Sequence, residues 1–162
     1  MAIRGSCLCG SVTLEVDRVI GPMEYCHCNR CRKVSGCGAL LTVVVRTADY
    51  RLLTGREYLQ AYDAPILYRP PAFRVTFCKQ CGTTMPEAEP NGSTLEIPAG
   101  LFDSDIGIKP DKHIYVELKA PWDAIQDALP QLTIREVVKL RTGEELPPDF
   151  KLRRHAIPVA NQ

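Results

Sequence analysis

The segment YCHCNRCRKVSG contains three cysteines with C-x-C-x-x-C spacing. Together they span six residues: Cys26, Cys28 and Cys31. A C-x-x-C turn brings two thiolates to one point, and a third thiolate two residues earlier can complete one face of a tetrahedral zinc ion. Structural zinc sites are normally closed by four protein ligands, whereas catalytic sites keep one position for water or substrate. The spacing therefore predicts a metal site with three ligands, and the fourth ligand decides its chemistry.

A second set of cysteines combines a C-x-C with a distant C-x-x-C: Cys7, Cys9, Cys78 and Cys81. Gly5 and Gly10 flank the first pair and Gly82 follows the second, and these glycines permit the tight backbone turns that converging thiolates need. Disulfides are the alternative for a chain with eight cysteines, but clustered pairs without an apolar export signal favour thiolates on metal. The set predicts a closed four-cysteine zinc site.

Short strands carry these cysteines. Val12, Leu14 and Val16 alternate with polar residues at the end of the segment 5–16, which is typical of a half-buried strand. Further strands are predicted at residues 39–46, 72–77, 94–97 and 113–118. Strands dominate up to residue 118, so we expect a mainly β, small antiparallel fold that is folded over and pinned by metal.

The C-terminal part predicts a short helix. Thr133 and Glu136 fit a T-x-x-E capping box, and Leu132 and Val137 occupy the two staple positions of the same helix start. We expect the helix at residues 134–141, ending near Gly143. The proline-bearing basic segment beyond it is expected to be an extended tail or an arm for a homo-oligomer.

Composition limits the class of protein. The chain has 162 residues, of which 45% are hydrophobic and 24% charged, as expected for one globular domain. Its 20 basic and 19 acidic residues give a formal net charge of +1, so we expect neither a nucleic-acid surface nor a membrane surface. The longest apolar run, residues 39–45, is too short to span a bilayer. We expect an intracellular, cytoplasmic protein.

Cys37 and His27 are the nearest candidates for a fourth ligand. Cys37 lies six residues after Cys31, and a small buried hydrophobic role is favoured over ligation. His27 lies between two ligands, so its side chain is expected to point away from the ion, toward solvent or into the surroundings of the ligands.

Other side chains near these segments have two interpretations. The flanking cations could hold thiolates or attract an anionic thiol, or they could form the solvated face of a short helix: Arg30, Arg32 and Lys33. His113, Tyr115 and Trp122 lie in the block HIYVELKAPW, and the two aromatic residues are favoured as core.

Four blocks in this order, GSCLCGSV, YCHCNRCRKVSG, FCKQCGT and HIYVELKAPWDAIQDALPQL, resemble the glutathione-dependent formaldehyde-activating enzyme family, which includes centromere protein V. The resemblance covers residues 5–132, leaving 133–162 as a C-terminal helix and tail. It implies folded-over sheets called a β-tent. It also implies a structural zinc on Cys7, Cys9, Cys78 and Cys81, and a second, catalytic zinc on Cys26, Cys28 and Cys31.

The resemblance further implies a carbon–sulfur lyase that joins formaldehyde and glutathione as S-hydroxymethylglutathione. A zinc ion with three thiolates could lower the pKa of a thiol substrate, or polarise the aldehyde oxygen as a Lewis acid. We favour the first role, because three thiolates weaken zinc as a Lewis acid. The alternatives are a zinc closed by a fourth protein ligand and a zinc-stabilised binding module without turnover, as in the centromere protein V branch.

Overall fold

The computed structural model describes residues 2–64 and 73–151. In this part of the chain the strands are β1 (Ile3–Ser6), β2 (Thr13–Val16), β3 (Met23–Cys26), β4 (Leu40–Arg46), β5 (Tyr50–Thr54), β6 (Leu59–Ala64), β7 (Phe73–Cys78), β8 (Thr84–Met85), β9 (Thr94–Pro98), β10 (Lys112–Ile114) and β11 (Gln131–Leu132). The helices are α1 (Asn29–Ser35) and α2 (Ile134–Thr142). The mainly β prediction with a short C-terminal helix is confirmed.

The strands form three sheets. Strands β1, β2 and β5 make one antiparallel sheet, and β6, β7 and β8 make another. The central sheet has the order β11-β10-β3-β4-β9. Its β3, β4 and β9 are antiparallel, but β10 pairs in parallel with both β3 and β11, which differs from a purely antiparallel expectation.

Strand β4 separates two hydrophobic clusters. Successive side chains of a strand point to opposite faces, and Val43 and Val45 are fully buried in the main core with Leu14 and Val16 of β2. A smaller cluster contains the three cysteines of the first motif, and Leu40 packs against it. The predicted strands at 5–16 and 39–46 therefore supply core residues as expected, and the central sheet positions the cysteines on one of its faces.

The predicted strand at 113–118 is wrong beyond Ile114. Tyr115 has a positive φ of 59°, a left-handed conformation that does not continue a strand. A single 3₁₀ turn, Val116–Leu118, follows and is closed by a 3.0 Å hydrogen bond from the Leu118 N–H to the Tyr115 carbonyl. The turn buries Leu118 in the smaller cluster, which the alternation of polar and apolar residues does not reveal.

Helix α2 begins as the sequence predicts. The Glu136 N–H donates to Thr133 Oγ1, while the Thr133 N–H donates to Glu136 Oε2 at 2.7 Å. Gly143 ends the helix with a φ of 73°. Val137 is 1% exposed and belongs to the same cluster as Cys26, with Leu132 packed against it. The helix therefore packs onto the cysteine cluster. The division of the chain at residue 132 stays a prediction.

The end of the predicted tail, residues 152–162, lies outside the described residues, and so does residue 72 of the predicted strand 72–77. Assembly through the tail stays a prediction.

Gly55 lies between β5 and β6, and its backbone closely approaches the backbone of Ser11. Its φ is 82°, and a Cβ atom there would lie 2.2 Å from the Ser11 carbonyl oxygen. Only glycine fits, because both the conformation and the space exclude a side chain.

Candidate metal centres

The four-cysteine set comes together as its spacing predicts. The sulfur atoms of Cys7, Cys9, Cys78 and Cys81 lie within 4.8 Å of one another. The Sγ atoms of Cys7 and Cys9 are 3.5 Å apart, and those of Cys9 and Cys78 are 3.9 Å apart. A zinc–sulfur bond of about 2.3 Å in a tetrahedron requires sulfur atoms about 3.8 Å apart. These thiols therefore fit a zinc ion.

Local turns shape this cluster. Cys78 ends β7, and the Gly82 N–H donates to its carbonyl at 2.8 Å to close the knuckle. Hydrogen bonds with Thr83 lower the pKa of Cys81 to about 5. Burial raises the pKa of Cys7 to about 11. Without metal, negative charge therefore favours Cys81 over the buried Cys7.

The three-cysteine set is built where β3 passes into α1. Cys26 ends β3, Cys28 is the N-cap of α1, and Cys31 lies in the first turn. The Cys31 N–H donates to Cys28 Sγ at 3.4 Å. All three side chains are buried, and their sulfur atoms lie within 4.8 Å of one another. This arrangement also fits a metal ion bound by three thiolates.

Negative charge in this cluster concentrates on Cys28, the cysteine that caps α1. Interaction with the Cys26 and Cys31 thiols lowers the pKa of Cys28 well below its usual range, and the Arg30 cation adds to the effect. Contact with Cys28 raises the pKa of Cys26. Arg30 also lies over the Phe73 ring, 4.9 Å from its centroid, so this cation faces the cluster rather than bulk solvent.

The other two flanking cations do not reach the thiols by any contact in the described structure. Arg32 Nη2 donates to Asn29 Oδ1 at 2.7 Å, and Lys33 is exposed. Lys33 matches the alternative of a solvated helix face, whereas Arg32 is half-buried.

The structure corrects the prediction for Cys37. Its side chain is exposed rather than buried, because Gly36 ends α1 in a left-handed conformation and turns the chain outward. In the described parts of the chain, no fourth cysteine, histidine or carboxylate joins the three clustered thiols.

His27 is buried, so a solvent-facing position is wrong. It belongs to a chain of polar side chains that runs through His113 to Asp127. His27 Nε2 lies 2.9 Å from His113 Nδ1, and His113 Nε2 lies 3.1 Å from both carboxylate oxygens of Asp127. Because a carboxylate only accepts, His113 Nε2 donates to Asp127. In the neutral form of His113 the Nδ1 atom then accepts from His27 Nε2.

A second carboxylate faces the other end of this chain. Asp123 Oδ2 lies 3.3 Å from His27 Nδ1, without the alignment of a hydrogen bond. Burial lowers the pKa of His27, with His113 as a further cause. Asp123 also packs against Gly38, where a Cβ atom would lie 2.9 Å from the carboxylate. The chain ties the segment 119–130 to the cysteine motif.

Sequence reasoning missed Asp123 and Asp127. The only available signal was their place in the block that carries His113, and pairing across 86 residues between His27 and His113 leaves no local pattern. The core prediction for Trp122 is wrong, since this side chain is 73% exposed. Tyr115 packs against the small cluster as predicted.

A cleft of about 610 Å³ opens beside the three-cysteine cluster. Its lining includes Cys31 and Thr42 together with residues of β7 and β8, among them Phe73 and Thr84. The volume is within the range of small-molecule sites. Cys31 of the cluster is therefore adjacent to a space that can admit a substrate.

Three sheets that meet around two thiol clusters define a small β protein with two candidate metal centres. The model of the glutathione-dependent formaldehyde-activating enzyme family matches residues 2–118. The chain belongs to this family. A crystal structure of a Rhodobacter sphaeroides protein is similar, with 21% identity, a TM-score of 0.48, and coverage of 80% of this chain and 99% of that chain. Among curated proteins, no significant match is found.

The described residues contain no helix long and apolar enough to cross a membrane. The cytoplasmic location stays a prediction.

Proposed function

We propose that this protein is a zinc-dependent carbon–sulfur lyase that joins or releases a small aldehyde and a thiol such as glutathione. The observation that carries the proposal is the set of three buried thiols, with Cys31 on the wall of a 610 Å³ cleft. Family membership supports the same chemistry. Without a fourth protein ligand among the described residues, a substrate thiol is the natural fourth partner of the metal.

Zinc bound at this cluster would lower the pKa of a substrate thiol and present it as a thiolate to the aldehyde carbon. The chain's own groups bind and orient the reactants. Cys26, Cys28 and Cys31 would hold the metal, and Arg30 favours the ionised form of Cys28. Phe73 and the neighbouring wall of the cleft provide apolar surface for the body of the thiol.

We propose that the four-cysteine cluster holds a second, structural zinc. Cys7 follows β1 and Cys78 ends β7, so one ion there joins two of the three sheets. Two zinc ions per chain are expected. Elemental analysis of protein purified without added metal measures this number, and a value near zero with disulfides found by mass spectrometry would refute both sites.

Catalysis is tested with protein shown to carry both metals. Exchange NMR measures the interconversion of formaldehyde, glutathione and their adduct, and we expect exchange faster than the spontaneous rate. Cys31→Ser should abolish the enhancement. Cys37→Ser is the matched control, because this exposed thiol lies outside the cluster.

Equal loss of the rate enhancement in Cys31→Ser and Cys37→Ser would contradict the assignment of the catalytic metal. No enhancement with any common thiol would instead favour a zinc-stabilised binding module.

A further inference from the structure

Two buried histidines beside the three-cysteine cluster take no part in the proposed reaction. His27 is 2% exposed and His113 is 5% exposed, and His27 Nε2 lies 2.9 Å from His113 Nδ1. A buried polar group is costly unless it is hydrogen-bonded. Two such groups side by side, one of them between Cys26 and Cys28, therefore point to a role that apolar packing does not fill.

The alternation of the strands places this pair away from the thiols. Ile114 packs with the three cysteines, and successive side chains of a strand point to opposite faces, so His113 lies on the other face of β10. Tyr25, the neighbour of Cys26 in β3, stacks on the His113 ring with the centroids 4.9 Å apart. The His27 N–H donates to the Ile114 carbonyl at 3.0 Å. The residue between two ligands is thus held by its backbone and by its ring.

Asp127 fixes the far end of the pair. Both of its carboxylate oxygens lie 3.1 Å from His113 Nε2, and Oδ1 also accepts from the Leu129 N–H at 2.9 Å. The His113 N–H donates to the Pro130 carbonyl at 2.8 Å, so one loop holds this histidine by both its backbone and its ring. Asp127 lies beyond residue 118, where the match to the family model ends. A loop outside the matched part of the chain therefore reaches the cysteine motif through His113.

We infer that Asp127 and His113 are positioning residues for the metal of the three-cysteine cluster. They hold the His27 ring, and thereby the turn that presents Cys26 and Cys28 to one ion. Neither residue is among those described as lining the cleft, so their effect passes through His27. The inference rests on the second metal site of the proposed function and does not depend on turnover.

The size of the effect follows from the place of the pair. Loss of a partner that orients a metal ligand lowers metal affinity by about 10–100-fold. His27 lies beside the ligands and does not bind the ion itself in this assignment, so we expect the lower end, about tenfold.

Cadmium NMR of the cadmium-loaded protein is the test, because the two thiolate sites give separate resonances and competition with a chelator gives the affinity of each. Asp127→Ala should lower the affinity of the three-cysteine site about tenfold. It should also shift or broaden the resonance of that site and leave the four-cysteine resonance unchanged. A general loosening of the fold would not act on one site alone.

Two further variants separate the carboxylate contact from the local turn. Asp127→Asn keeps an amide oxygen that can accept from His113 and Leu129, so it should retain most of the affinity. Asp105→Ala is the matched control. Asp105 Oδ1 accepts from the Gly107 N–H at 2.9 Å, in the same kind of turn, and no described contact joins Asp105 to the histidines. Its two affinities should equal those of the wild type.

His113→Phe tests whether Asp127 acts through the histidine. The variant keeps a ring to stack on Tyr25 and removes both nitrogens, so it should weaken the three-cysteine site at least as much as Asp127→Ala. Adding Asp127→Ala to it should have no further effect, because the connection to His27 is already broken.

The inference is overturned if Asp127→Ala binds cadmium at the three-cysteine site as tightly as the wild type, if both sites weaken equally, or if the two substitutions are additive. A wild type that binds no metal at this cluster would refute both the inference and the proposed lyase. Metal binding without faster exchange of formaldehyde would refute the lyase alone, because the affinities still decide the roles of Asp127 and His113.

Discussion

Replacing Cys78 by serine is expected to destabilise the fold far more than replacing Cys31. Cys9 and Cys78 are 69 residues apart, and their cluster joins the segment after β1 to the end of β7. Cys78 itself is fully buried in the main core. Cys26, Cys28 and Cys31 bracket a single local turn, so an ion there constrains little of the unfolded chain.

The difference in stability between the two variants can be calculated from the cost of loop closure. The cost of closing a flexible loop grows as (3/2)RT times the logarithm of its length. For loops of 69 residues and about five residues, the difference is about 2.3 kcal/mol. For a chain of this size, 1 kcal/mol shifts the melting temperature by about 2–4 °C. The extra loss for Cys78→Ser should therefore be about 5–9 °C, and larger if its zinc affinity contributes fully to folding.

Thermal melts by circular dichroism, with zinc content by elemental analysis, measure both variants against the wild type. Cys37→Ser should have the same melting temperature as the wild type, because the Cys37 thiol is exposed and lies outside both clusters. We expect Cys31→Ser to stay folded with one zinc. Equal destabilisation by the two substitutions would refute the division into a structural and a functional ion.

Three further predictions concern the scaffold. Val137→Ala should lower the free energy of unfolding by about 2 kcal/mol, as measured by denaturant titration, because it leaves a cavity beside the three cysteines. Gly55→Ala should cost more than Gly143→Ala in the same titration, because both have positive φ but only Gly55 meets backbone atoms. The Thr133 N–H lowers the pKa of Glu136, so its stabilisation is present above the unfolded pKa and lost as the pH falls through the folded pKa. The difference in melting temperature between the wild type and Glu136→Gln should therefore narrow from about pH 6 to about pH 3.5, and a constant difference would contradict this.

Local patterns predicted the parts of the molecule that depend on a few neighbouring residues. C-x-C and C-x-x-C spacing indicated two thiol clusters, and both come together in the structure. The T-x-x-E signal placed the start of α2 correctly. These succeed because a knuckle turn and a helix cap are each closed by groups within a few residues, so their geometry is encoded where they lie.

Tertiary structure alone decided the surroundings of the clusters. The burial of His27 depends on His113, which the parallel pairing of β10 with β3 brings next to the cysteine motif, and Asp127 in turn binds His113. Cys37 is exposed because Gly36 turns the chain outward. The cleft beside Cys31 exists because two sheets face each other there. No local pattern records such contacts, because their energy arises only when segments far apart in the sequence pack together.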